Sequence, residues 1–143
     1  MDDESAIREL FDARVAALRD KDGARAVAML APDLAAFEIA GPLRMPASAA
    51  TDAAVAQAWL DRFEGPVETE IRDLVVHVAG DVAFSHSLNR LKAVRKDGVA
   101  TDFWMRSTLG FRKAAGAWKI VHGHTSVPLR MDGSFTAAMD LTP

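Results

Sequence analysis

The segment Asp102–Pro128, DFWMRSTLGFRKAAGAWKIVHGHTSVP, contains the pattern that decides the fold class of this chain. Two runs rich in aromatic and β-branched residues flank Ala114-Ala115-Gly116, as in two antiparallel strands joined by a short turn. Similar runs precede it, separated by Gly80-Asp81 and by Lys96-Asp97-Gly98. The second half of the chain therefore predicts an antiparallel meander of four long strands, near 67–78, 82–95, 99–113 and 117–127.

The first half of the chain predicts helices, because apolar residues recur at helical spacing and N-caps are provided by Asp22 and by either Thr51 or Asp52. The predicted elements are helices over 3–20, 22–30 and 52–63, a short strand over 34–39, and a loop over 41–50. Helices followed by a meander indicate an α+β fold in one domain, 1–143, with residues 129–143 as a C-terminal tail. We expect about three N-terminal helices on one face of a curved antiparallel sheet, made of four long strands plus a short one.

The composition narrows the functional classes. Of the 143 residues, 50% are hydrophobic and 26% are charged, as in ordinary globular domains. The net charge is −3 and the cationic residues form no stripe, so no nucleic-acid partner is predicted. The chain has no cysteine, which excludes disulfides and thiolate metal sites, and no apolar run of membrane-spanning length. Since its N-terminus also lacks the features of a signal peptide, we expect a cytoplasmic protein that does not bind membranes.

The register of the last three strands determines which side chains share a face. Lys96-Asp97-Gly98 and Ala114-Ala115-Gly116 both end in glycine, which favours three-residue hairpin loops with a left-handed third residue. With such loops, His86 pairs with Thr108 in the first hairpin. The second hairpin then has the pairs Arg106 with His124, Thr108 with His122, and Trp104 with Ser126. A two-residue loop in either hairpin would shift the register by one residue.

One predicted face is apolar with small polar side chains, and we assign it to the interior beneath the helices. Small side chains leave space, and Trp59 and Phe63 on the third helix could form a wall. An apolar hollow with a few polar groups is typical of a ligand pocket. The predicted lining is Trp59, Phe63, Ser87, Asn89, Met105, Ser107 and Thr125. The other interpretation is a packed core whose hydroxyl groups satisfy one another.

The opposite face mixes aromatic residues with histidine and arginine, a composition enriched at protein interfaces. Ile120 is assigned to this face as well. We therefore predict a homodimer that forms through the sheet, with His86, Trp104, Arg106, Thr108, His122 and His124 in the interface. The competing interpretation is the exposed face of a monomer, on which scattered apolar residues are common.

The polar residues suggest little definite chemistry. His122 and His124 share a face, but no carboxylate accompanies them, so neither a metal site nor a cofactor is predicted. Glu38, at the end of the short strand, is the best candidate for a general base if its side chain points inward. A solvated carboxylate at a strand end is the alternative. Asp73, within the first long strand, indicates either a β-bulge or an ion pair with Arg72.

The C-terminal segment resembles the signature of the SnoaL-like branch of the nuclear-transport-factor-two-like superfamily. The pattern runs Trp-x-Arg-x-Thr, then Gly-x-Trp-Lys-Ile, then His-x-His-x-Ser-x-Pro. It falls here on Trp104, Arg106, Thr108, Gly116, Trp118, Lys119, Ile120, His122, His124, Ser126 and Pro128. The resemblance implies a cone-shaped α+β fold, with a curved sheet wrapped around the helices, and a homodimer formed through the sheets.

The resemblance also implies a range of activities, since the superfamily includes ketosteroid isomerases, polyketide cyclases, dehydratases, small-molecule binders and a kinase association domain. Ketosteroid isomerase holds its oxyanion with a tyrosine hydroxyl and a protonated aspartic acid. This chain has no tyrosine, so another donor such as Asn89 or Ser107 would have to serve. Two functions stay open: an isomerase- or cyclase-type enzyme for an apolar, ketone-bearing substrate, and a non-catalytic module for ligand binding or dimeric assembly.

Overall fold

The computed structural model describes residues 1–143 and places four helices and one strand before a β meander. The helices are α1 Asp3–Arg19, α2 Gly23–Val27, α3 Ala47–Ala50 and α4 Ala53–Leu60. The strands are β1 Leu30–Phe37, β2 Phe63–Ala79, β3 Val82–Arg95, β4 Ala100–Ala114 and β5 Ala117–Ser126. The predicted α+β class is confirmed. None of the helices combines the length and the apolar character needed to cross a lipid bilayer.

The five strands form one sheet in the order β1-β5-β4-β3-β2. Strands β2 to β5 are antiparallel neighbours, as expected, but β1 pairs with β5 in parallel. The expectation of a wholly antiparallel sheet is therefore wrong for its first strand. This strand contains Pro32, which donates no backbone hydrogen bond and is tolerated because β1 lies at an edge of the sheet.

Three aspartates begin the main helices by accepting backbone hydrogen bonds that would otherwise be unmade. Asp2 accepts from Ser5 N, Asp22 from Arg25 N, and Asp52 from Ala54 N. The predicted N-caps at Asp22 and Asp52 are confirmed. The predicted loop over 41–50 also contains the short helix α3, which begins after Pro46.

Helices α2 and α4 approach each other at Gly23. The Gly23 backbone N donates to Gln57 Oε1 at 2.8 Å, and a Cβ added at Gly23 would lie 2.7 Å from Gln57 N. Such a distance is too short for a carbon atom, so only glycine permits this packing. The contact fixes α4 relative to α2.

Two apolar clusters hold the helices on the inner face of the sheet. The first apolar cluster contains Ile7, Phe11, Met29, Leu34, Ala36, Phe111, Trp118 and Ile120. The second apolar cluster contains Leu60, Phe63, Val67 and Ala93. Helix α1 spans both, because Phe11 belongs to the first and Leu18 packs against the second.

The predicted register is confirmed for the β3–β4 hairpin, in which His86 pairs with Thr108. It is wrong for β4–β5. The turn has two residues, Ala115 and Gly116, both with positive φ, and Ala114 pairs with Ala117. Two positive φ angles define a type I′ turn, whose twist matches that of the strands.

A β-bulge in β5 shifts the β4–β5 register by one further residue. Phe111 pairs with Ile120 but Gly110 pairs with His122, which leaves Val121 as the additional residue. The predicted pairs of the second hairpin are therefore replaced by Thr108 with His124 and Arg106 with Ser126.

The assignment of Ile120 to the outer face is wrong, because Ile120 lies before the bulge and belongs to the first apolar cluster with Phe111. His122 and His124 lie beyond the bulge. The short turn and the bulge together shift the register by two residues, so these two histidines remain on the face of Thr108.

The long edge strand β2 also contains a bulge at Asp73, one of the two possibilities that the sequence left open. Asp73 has φ 57°, and the register shifts between Arg72, which pairs with Leu88, and Val75, which pairs with His86. Asp73 and Leu74 therefore both lie opposite Ser87. The bulge bends β2 at the level of the polar residues described next.

Candidate functional site

A polar section separates the two apolar clusters on the inner side of the sheet. Along α1, Arg14 lies between Phe11 and Leu18, which contact the first and second clusters respectively. Along β2, Thr69 lies between Ile71, packed on the first cluster, and Val67 of the second. We define the polar section as Arg14, Glu38, Thr69, Ser87, Asn89, Ser107 and Thr125.

Strand pairing places four of these residues in one row across the sheet. Ser87 pairs with Ser107, and Ser107 pairs with Thr125. Glu38 follows the last residue of β1, and Thr125 Oγ1 donates to Glu38 Oε2 at 3.4 Å. The row therefore runs from the bulge of β2 to the end of β1 and finishes in a carboxylate.

Glu38 lies at the rim of the polar section. The residue is exposed, yet its carboxylate points toward Thr125 of the row. The exposure fits the alternative of a solvated carboxylate at a strand end, and the contact with Thr125 places one carboxylate oxygen beside the row, so the role of Glu38 as a general base stays a prediction. The other carboxylate oxygen accepts no hydrogen bond from the protein.

Arg14 brings a positive charge into the helix–sheet interior and was missed from the sequence. Its side chain is partly buried, and Nη1 donates to the Ala26 carbonyl oxygen at 3.0 Å. Burial lowers the pKa of Arg14, and the negative charge of Glu38 opposes that shift. Glu38 and Arg14 therefore attract each other electrostatically, but they form no ion pair, because no carboxylate oxygen lies within 4.0 Å of the guanidinium.

The hydroxyl and amide groups of the polar section are only partly satisfied. Ser87 Oγ donates to Asn89 Oδ1 at 2.7 Å. Thr69 Oγ1 is buried and has no hydrogen-bond partner within the protein. A buried hydroxyl without a partner is costly, so the polar section contains one unused hydrogen-bonding group.

The remaining residues predicted for the pocket differ in their surroundings. Met105 pairs with Asn89 and is partly buried beside the polar section. Phe63 is buried in the second apolar cluster. Trp59 contacts the Phe63 ring edge-on, with the centroids 5.1 Å apart, and is 36% exposed. Trp59 thus covers the second cluster from outside.

A surface depression lies elsewhere, between α1, α2 and the start of β5, and has a volume of about 490 Å³. Its lining is mainly apolar, and both of its cations are engaged. Arg25 Nη1 contacts Asp20 Oδ2 at 2.9 Å, and Lys119 Nζ donates to Ala28 O at 2.7 Å. The lining of the depression includes no carboxylate, whereas the polar section combines a cation, a carboxylate and hydroxyl groups, so we place the candidate site in the polar section.

The residues predicted for a dimer interface lie on the outer face of the sheet, away from the helices. The Arg72 guanidinium lies 4.7 Å above the Trp104 ring, and His77 stacks on Phe84 at 4.7 Å. Across the sheet, His122 Nδ1 lies 2.7 Å from Ala35 O. The outer face also exposes apolar side chains, of which Phe84 is 50% exposed.

Comparison with known proteins places this chain among small α+β domains. The sequence model of the SnoaL-like domain matches residues 7–130. An NTF2-like protein of unknown function from Pseudomonas putida KT2440 has a similar structure, with 35% identity and a TM-score of 0.83. The match covers 98% of this chain and 96% of that protein. No curated protein matches the chain in sequence.

Two more distant structures share the fold. An NTF2-like superfamily protein from Salmonella enterica serovar Typhimurium is 18% identical, with a TM-score of 0.74 over 93% of this chain and 96% of that one. A protein with a cystatin-like fold from Caulobacter vibrioides is 20% identical, with a TM-score of 0.71 over 86% and 87%. At these identities the likeness concerns the fold alone.

Proposed function

Because the chain belongs to the SnoaL-like domain family, we propose that it binds a small apolar, ketone-bearing molecule at the polar section and acts as an isomerase- or cyclase-type enzyme. A fold of this kind hosts unrelated functions, so the proposal has to rest on the site. The observation that carries it is the placement of Glu38 beside Thr125, at the rim of a polar section enclosed by apolar clusters.

Glu38 is suited to act as the general base of such a reaction. A carboxylate can remove the proton next to a ketone when it lies within hydrogen-bond reach of that proton. Thr125 Oγ1 lies 3.4 Å from one carboxylate oxygen, and the other oxygen is free to accept the proton. Partly buried apolar side chains beside the polar section, such as Met105, would contact the hydrocarbon part of the substrate.

Deuterium exchange tests this function without knowledge of the natural substrate. In heavy water, 2-tetralone loses its α-protons to a base, and proton NMR follows the loss. We expect the protein to accelerate the exchange and Glu38→Gln to lower the catalysed rate by about 10²–10⁴-fold, the usual contribution of a general base.

Glu9→Gln is the matched control, since Glu9 is an exposed glutamate on α1 without an ion-pair partner. Its exchange rate should equal that of the wild type. Equal rates for Glu38→Gln and the wild type would remove Glu38 from the mechanism.

A second candidate function is a non-catalytic binding module that assembles as a homodimer. The exposed apolar residues of the outer face favour it, because large exposed apolar patches often mark protein interfaces. In this function the outer face, with His86, Trp104, Arg106, Thr108, His122 and His124, contacts a second copy. A ligand that raises the melting temperature without any accelerated exchange would favour this function over the enzyme.

A further inference from the structure

We propose that Arg14 binds the carbonyl oxygen of the ligand and stabilises the negative charge that forms there when Glu38 removes a proton. The inference rests on the proposed function and specifies its substrate class. The substrate is an uncharged, enolisable ketone, and a molecule that already carries a carboxylate is disfavoured.

The position of Arg14 is the first reason. It lies on the inner face of α1, between Phe11 and Leu18, at the level where the sheet carries hydroxyl and amide groups in place of apolar ones. A charged side chain in this position costs stability unless a partner compensates its desolvation. Binding of a ligand by this charge would explain why a destabilising side chain is present here.

The unused donors of Arg14 are the second reason. A guanidinium has five N–H donors in a planar fork. The protein engages one of them, through the 3.0 Å hydrogen bond from Nη1 to Ala26 O. The hydrogen bond orients the guanidinium plane, and the other donors stay free for an oxygen atom of a ligand.

The charge balance of the site is the third reason. Arg14 is partly buried, burial lowers its pKa, and the negative charge of Glu38 opposes that shift. With Arg14 positive and Glu38 negative, the resting site is neutral. A neutral ketone preserves this balance, because the negative charge moves from Glu38 to the carbonyl oxygen during the reaction.

The other donors of the polar section can assist but carry no charge. Ser87 Oγ donates to Asn89 Oδ1, so the Asn89 amide nitrogen remains available as a donor. The hydroxyl of Thr69 is buried without a partner. A charged hydrogen bond is about twice as strong as a neutral one, so Arg14 is the group expected to dominate.

The proposed step needs no additional reagent. The α-carbon proton moves to the free oxygen of Glu38, and the C–H electron pair forms the C=C bond of an enolate. The carbonyl π pair moves onto the oxygen, where Arg14 stabilises the negative charge. Return of the proton from Glu38 to another carbon of a conjugated enolate completes an isomerisation and restores the carboxylate.

The test uses 4-nitro-1-naphthol, a bicyclic phenol whose ionised form resembles an enolate and absorbs visible light. The pH is held below the pKa of the free probe, so that unbound probe is mostly neutral. We expect wild-type protein to increase the ionised fraction of the bound probe, and Arg14→Gln to reverse this by about tenfold or more. Arg14→Lys keeps the charge and should retain much of the effect.

Glu38→Gln provides an opposite expectation, because loss of the carboxylate removes a repulsion and should raise the ionised fraction further. The melting temperature of each variant shows whether it is folded. A probe that binds with the same ionised fraction to wild type and Arg14→Gln overturns the role of Arg14 and leaves the proposed site intact. A failure of the wild type to bind the probe contradicts the proposed function and, with it, this inference.

Discussion

Asp3 shows how one side chain ties the first helix to the far end of the sheet. Its Oδ1 accepts from Lys113 Nζ at 2.8 Å and from Trp118 Nε1 at 2.9 Å. These hydrogen bonds, the one from Lys113 first, lower the pKa of Asp3 below 3.8. A carboxylate whose pKa is lowered by folding stabilises the folded state at pH values above its pKa in the unfolded chain. This contribution is lost as the pH falls through its pKa in the folded protein.

We therefore expect Asp3→Asn to lower the melting temperature at pH 7, where the wild-type carboxylate is ionised. The difference between the two proteins should shrink as the pH falls below 3.8, because the wild-type side chain also becomes neutral. Thermal unfolding followed by circular dichroism at several pH values measures it. Asp12→Asn, an exposed carboxylate on the same helix, is the control, and a difference that is the same at every pH would contradict the explanation.

Arg14 shows that a charged residue can lie on the face of a helix that was predicted from its apolar residues alone. The apolar positions of α1 correctly predicted a helix with one face toward the sheet, but they did not predict that Arg14 lies on that face. The residue follows Phe11 by three and precedes Leu18 by four, so it occupies that same face. A charged residue at a position reserved for the core is a signal that a sequence can supply.

At the scale of elements, the β4–β5 hairpin shows why register was harder to predict than strand content. The strands were identified from their composition, but Ala115 adopts φ 51° without the asparagine or aspartate that usually marks such a turn. The bulge at Val121 has no glycine or charged residue at its position to reveal it. The predicted faces of His122 and His124 were nevertheless correct. The shorter turn and the bulge each shift the register by one residue, and a shift of two residues leaves a side chain on the same face.

The turn gives a prediction about stability. A left-handed conformation costs alanine about 1 kcal/mol or more, whereas asparagine tolerates it and Asn-Gly is the preferred type I′ sequence. We expect Ala115→Asn to stabilise the protein by about 0.5–1 kcal/mol in urea unfolding. Ala114→Asn, placed in the extended strand just before the turn, should bring no gain. Destabilisation by Ala115→Asn would argue for the three-residue loop instead.

The parallel pairing of β1 with β5 could not be predicted from the sequence either. The two strands are separated by about eighty residues, and only tertiary contacts bring them together. The turn residues of a hairpin indicate which two strands pair, but no short sequence pattern indicates a pairing between strands so far apart in the chain. The pairing matters for the site, since it sets Glu38 beside Thr125.

At the scale of the whole molecule, the two faces of the sheet have different roles. The inner face carries the clusters and the polar section, while the outer face exposes aromatic, histidine and arginine side chains. We expect Trp104→Glu to weaken the proposed homodimer by about tenfold or more, because a charge would replace a large apolar contact at the centre of the interface. Sedimentation velocity over a range of concentrations measures the dissociation constant.

Val99→Glu is the control for the proposed dimer, because Val99 is an exposed apolar residue in the β3–β4 turn, away from the outer face. It should leave the association unchanged. An unaltered dimer in Trp104→Glu, or a wild-type protein that is monomeric at high concentration, would count against this surface.

The separation of the apolar clusters by the polar section has an evolutionary consequence. The side chains that secure the scaffold are largely different from those that would meet a ligand. Substitutions between the clusters can then alter specificity at small thermodynamic cost, while the ends of the helix–sheet interface preserve foldability. Proteins descended from one ancestor could therefore acquire new substrates while keeping the same fold.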